Sequence, residues 1–164
     1  MTGDYPGAAE ALEESLAIYR DLGNRLGKAN TLTYLGVVRR MTGDYPGAAE
    51  ALEEALDIFR SLGERDAEAE VLNEAGALRR VRGDLGQART YHRQALDLGR
   101  EIGSPWIEAH ALAGLGRCAQ VAGRTADAAA CLRKAQEIFR RIGAAEAVGV
   151  TTELDVLTEA EPTA

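Results

Sequence analysis

Along this chain, apolar positions recur at helical spacing and are punctuated by glycine. Leu32, Leu35, Gly36 and Val38 make one stripe that stops before Gly43; Ala48, Ala51, Leu52, Ala55, Leu56 and Phe59 make a second that stops before Gly63. Spacings of three and four place each set on one face of an α-helix, and strand-like alternation is absent. Both stripes return at an interval of 40 residues, so Met1–Arg40, Met41–Arg80, Val81–Gln120 and Val121–Ala160 are four copies of one unit. Residues 1–20 and 41–60 differ at only three positions, Ser15/Ala55, Ala17/Asp57 and Tyr19/Phe59, whereas the later copies keep mainly the Gly, Ala and Leu positions. The pattern predicts an all-α repeat array of about eight helices.

Glycine marks the joints. Eleven of the 18 glycines lie on three combs of spacing 40, Gly3/Gly43/Gly83/Gly123, Gly23/Gly63/Gly103/Gly143 and Gly36/Gly76/Gly116. Gly43 suits a left-handed helix end, Asp44 suits the cap of the next helix, and Pro46 sits where a missing N–H costs little. Gly3-Asp4-Tyr5-Pro6 and Gly83-Asp84 repeat this turn, Gly123-Arg124-Thr125 moves the expected cap to Thr125, and Ser104-Pro105 caps another helix. The resulting division is a lone helix over 4–22, helix pairs over 25–62, 65–102 and 105–142, and a closing helix over 145–160, with Glu161–Ala164 expected to fray. The opening helix carries the interior stripe Leu12, Leu16, Tyr19 but lacks a partner, which suggests either an excerpt from a longer protein or self-association through this N-terminal helix. The closing helix has Asp155-Val156 where other copies carry Leu-Gly, which suits a cap on the array.

The residues at these positions resemble the tetratricopeptide repeat (TPR). Its Leu-Gly pair, aromatic, Ala, large residue and Ala-Leu stand here as Leu35-Gly36, Tyr45, Ala48, Leu52 and Ala55-Leu56, then Ala75-Gly76, Leu85, Ala88, His92 and Ala95-Leu96, then Leu115-Gly116, Thr125, Ala128, Leu132 and Ala135-Gln136. The period is 40 rather than about 34 residues, and Leu32, Leu72 and Leu112 replace the usual Trp. The resemblance implies a right-handed α-solenoid of antiparallel helix pairs, a TPR superhelix, that is non-catalytic and binds a protein or peptide along its concave face. It places on that face Asn30, Thr33, Tyr34, Val37 and Arg40; Glu70, Asn73, Glu74, Ala77 and Arg80; and His110, Ala113, Arg117 and Gln120. Arg40 and Arg80, at equivalent positions, are expected either to present guanidinium forks to a carboxylate or phosphate or to pair with groove acids such as Glu70 and Glu74. The family's two-carboxylate clamp is not matched, because Thr33, Val37, Glu74, His110 and Gly114 stand there. Near-identical copies with Gly-Asp-Tyr-Pro turns are also similar to the C-terminal sensor arms of large bacterial regulators.

Composition narrows the function classes. The chain has 164 residues, 46% of them hydrophobic, and a net charge of −7, which opposes direct nucleic-acid binding. No apolar run reaches membrane-spanning length and no signal-peptide order opens the chain, so a cytoplasmic protein without membrane contact is expected. Net charge by copy is 0, −6, +1 and −2, so the acidity is concentrated in residues 41–80. No catalytic constellation, cofactor site or metal site is visible. Gly23–Ala29 departs from a phosphate loop in spacing and in ending on Ala, and Arg82-Gly83-Asp84 reads as an interhelix turn rather than an adhesion motif. Cys118 and Cys131 flank one turn and are read as small core residues rather than a redox pair, and His92 stands at a position of core packing. His110 lies on a groove-facing helix.

Overall fold

A computed structural model describes residues 5–159, which form eight α-helices and no strand: α1 (Tyr5–Asp21), α2 (Arg25–Thr42), α3 (Tyr45–Leu62), α4 (Arg65–Val81), α5 (Leu85–Glu101), α6 (Pro105–Val121), α7 (Thr125–Arg141) and α8 (Glu146–Glu159). Gly3-Asp4 and the tail Glu161–Ala164 lie outside the described residues. Each helix packs antiparallel on the next, and α2, α4 and α6 also touch along one side, building a right-handed α-solenoid.

The joints follow from local chemistry. Gly23, Gly43, Gly63, Gly83, Gly103, Gly123 and Gly143 all have positive φ, a conformation that a side chain would strain. At Gly43 the turn is closed by N–H donation from Gly43 to the Arg40 carbonyl and from Asp44 to the Arg39 carbonyl. The following helix starts with the Gly47 N–H donating to Asp44 Oδ1 at 3.0 Å, and Asn24, Asp84 and Ser104 cap α2, α5 and α6 in the same way. Thr125 does not cap α7. It is already helical, and Arg124 occupies the cap position, where its side chain makes no capping bond. An Asp or Asn at that point accepts an N–H; arginine has only donors to offer.

The third glycine comb serves packing. A Cβ on Gly36 would stand 2.7 Å from Leu52 Cγ, and one on Gly116 would stand 2.9 Å from Leu132 Cγ, so only glycine lets α2 meet α3 and α6 meet α7 this closely. At Gly76 the occupying side chain is the buried His92. Leu52, Leu56, Phe59, Leu72, Leu132 and Phe139 fill the continuous core between helices. Cys118 is fully buried and Cys131 half-buried, and both are free thiols.

Candidate functional site

Helices α2, α4 and α6 form one wall, and their side chains enclose a cavity of about 330 Å³ lined by Thr33, Tyr34, Val37, Glu70, Asn73, Glu74, Trp106, Ile107 and His110. A 40-residue period places 30, 70 and 110, or 33, 73 and 113, at matching heights on successive helices. Seven of the residues expected on this face therefore meet at one cavity. The remainder sort differently. Asn30 and Gln120 are exposed beyond it, Ala77 is half-buried, and Ala113, only 1% exposed, is a core residue whose methyl group presents nothing to a groove.

Trp106 and Ile107 complete the lining and were not among the sequence candidates. Trp106 is the chain's single Trp and stands one helical turn before His110, so spacing alone puts the two rings on one face. In the structure their centroids lie 4.5 Å apart, and His110 in turn meets the Phe139 ring edge-on at 5.0 Å. Tyr34 stays 64% exposed and Trp106 40% exposed, which leaves two aromatic faces open at the cavity. Burial pulls the His110 pKa down; Glu146 opposes this and Arg117 reinforces it. Its Nε2 is buried without a hydrogen-bond partner among the described residues.

Polar groups give the wall direction. On α4, partial burial followed by repulsion from Asp66 and Glu74 raises the pKa of Glu70. Asn73 offers its Oδ1 to His92 Nδ1 at 3.1 Å, and burial, aided by Arg80 and Arg117, lowers the His92 pKa to about 4. At the other end of the same helices Arg40 donates to Glu74 at 3.1 Å, and Arg117 donates through Nε and Nη2 to the two oxygens of Glu153 at 3.0 and 2.7 Å. Arg40 is thus engaged by a groove acid. Arg80 has no hydrogen bond or ion pair among the described residues, and burial, then repulsion from Arg117, lowers its pKa. Lys28, within the glycine segment 23–29, pairs with Glu54 on α3, and Asn24 closes that segment as an ordinary helix cap.

No group of His, Cys, Asp and Glu suited to a metal ion occurs among the described residues. A stack of helix pairs with an aromatic-lined, charged wall defines a helical-repeat scaffold. The tetratricopeptide repeat pattern matches residues 1–61 and 67–141, and the chain belongs to that family. No curated protein sequence matches significantly. Among solved structures, BtubC from P. vanneervenii superposes with a TM-score of 0.82 at 19% identity, over 97% of this chain and 67% of its own. A Rap protein complexed with Competence and Sporulation Factor gives 0.88 at 17% identity, over 94% of this chain and 43% of its own. Nearly identical TPR-like repeats from Podosopora anserina give 0.71 at 17% identity, over 96% and 79%. The chain therefore spans less than half of the Rap protein, and these likenesses are likenesses of fold.

Proposed function

We propose that this array is a non-catalytic scaffold that binds a protein or peptide against the α2–α4–α6 wall. The observation that carries the reading is the cavity with Tyr34 and Trp106 left open beside it, since exposed aromatic faces in a concave site are the usual anchors of recognition. The Rap protein solved with Competence and Sporulation Factor, which shares this fold, supports ligand binding by an array of this kind. In this reading α2–α3, α4–α5 and α6–α7 are three repeats flanked by single helices, and the array works in the cytoplasm as the C-terminal sensor or interaction arm of a larger bacterial regulator. The test is display selection of peptides against the immobilised full chain. Selected peptides are expected to lose binding to the Tyr34→Ala, Trp106→Ala double variant while its melting temperature holds; unchanged binding rejects the wall as the recognition surface.

A second reading, a structural spacer or self-assembly module, is favoured by one contrast. Ile18 on α1 is 57% exposed, whereas its counterpart Ile58 on the near-identical α3 is 8% exposed. Light scattering across a concentration series decides it, a strict monomer at high concentration excluding self-assembly.

A further inference from the structure

The charged end of the wall is incomplete in one place. Arg40 finds its acid 34 positions along the chain, at Glu74. The same step from Arg80 arrives at Gly114. A carboxylate cannot be supplied there, because a Cβ on Gly114 would collide with the His92 ring reaching over from α5. The other nearby acid, Glu153, attracts Arg80 through space but has both oxygens hydrogen-bonded by Arg117. Arg40 Nε is also buried without an acceptor among the described residues. Among the described residues three guanidiniums, Arg40, Arg80 and Arg117, thus share two carboxylates, Glu74 and Glu153, and a single positive charge is left over. The remaining titratable groups do not cancel it: His92 is held neutral, and burial raises the Cys118 thiol above its usual range.

We propose that Arg80 is the receptor for a carboxylate of the bound partner, which takes the place that a glutamate at position 114 would otherwise occupy. This rests on the wall being the recognition surface and adds the chemistry of the ligand and its direction. One uncompensated positive charge matches a singly charged carboxylate better than doubly charged phosphate, and a guanidinium fork meets a carboxylate through two parallel hydrogen bonds. Asp66 and Glu70 make the opposite end of the wall acidic, so a peptide lies with its carboxylate toward Arg80 and any cationic group toward Glu70. Seven residues of helix separate Asn73, at the cavity, from Arg80, a distance of about 10 Å. Two extended residues beyond an aromatic anchor span about 7 Å, and the carboxylate adds the rest.

The probes are N-acetyl-Phe-Gly-Gly with a free C-terminal carboxylate and the same peptide as its amide, titrated at fixed ionic strength into the full chain. Trp106, the only Trp, reports cavity occupancy by fluorescence. The acid is expected to bind at least tenfold more tightly than the amide, an advantage lost in Arg80→Gln and kept in Arg124→Gln, with both variants melting as wild type. Equal binding of acid and amide overturns the carboxylate receptor while leaving the cavity in place, and so does an acid–amide difference that survives Arg80→Gln. Sodium acetate gives an arm independent of the cavity. A saturable displacement of the Arg80 Nε–Hε resonance, absent in Arg80→Gln, supports the receptor even where neither peptide moves Trp106. An acetate response shared equally by all arginines, or a stronger response to inorganic phosphate, overturns it.

Discussion

His92 stands where the flanking copies carry Leu52 and Leu132, and it is the one position at which the packing comb meets a titratable ring. An unfolded histidine takes its proton near pH 6.5, whereas His92 resists protonation until about pH 4. Between these values the unfolded chain binds more protons, so stability rises with pH across the window and falls by about 3 kcal/mol on acidification from 6.5 to 4. Denaturant unfolding of wild type and His92→Leu at several pH values is expected to show that part of the loss missing from the variant; identical pH profiles reject it. Simple core residues obey a blunter rule. Leu52→Ala opens a cavity beside Gly36 and is expected to cost about 2–5 kcal/mol. Arg60→Ala removes only an exposed ion pair with Glu68 and is expected to cost less than about 1 kcal/mol. Thermal melts of the two variants check the contrast.

At the scale of the helix, α7, like α4, starts without a side-chain capping bond. Its cap position holds Arg124, whose side chain reaches Asp127 instead of the free backbone N–H groups. Arg124→Ser restores an acceptor and is expected to stabilise the chain by about 1 kcal/mol, read as a raised melting temperature, while Asp44→Ala is expected to lose a similar amount at α3. The helices themselves were legible from sequence because period and punctuation agree: each described glycine of two combs proves left-handed, and the third comb proves to be close packing. The site was legible only in outline. Which arginine is engaged depends on what the next helix brings, Glu74 in one case and Gly114 in the other, and Ala113 is buried by neighbours that a helical wheel does not contain. Trp106 carried a signal in its spacing from His110, but a family template that expects Trp elsewhere directs attention away from it.

Across the whole molecule the 40-residue period also organises the surface. Arg39–Glu13 and Arg79–Glu53 are the same ion pair one period apart, and so are Arg60–Glu68 and Arg100–Glu108. Exposed pairs of this kind fix little stability singly, so the apolar joints carry the array. The ends differ from the middle. Ile18→Glu on the open face of α1 is expected to leave the melting temperature within about 1 kcal/mol equivalent of wild type, whereas Ile58→Glu on α3 is expected to cost more than about 3 kcal/mol, because only the second buries an unpaired charge. Equal losses in paired melts would show that α1 is covered as α3 is.

The uneven burial has a consequence in time. Leu16 is the one buried residue of α1, while α6 has nine, and contacts run almost entirely between helices adjacent in sequence. Such a chain closes short loops first and opens from its edges, so amide hydrogens in α1 are expected to exchange with solvent deuterium well before those of α6, a fraying front rather than a single concerted event.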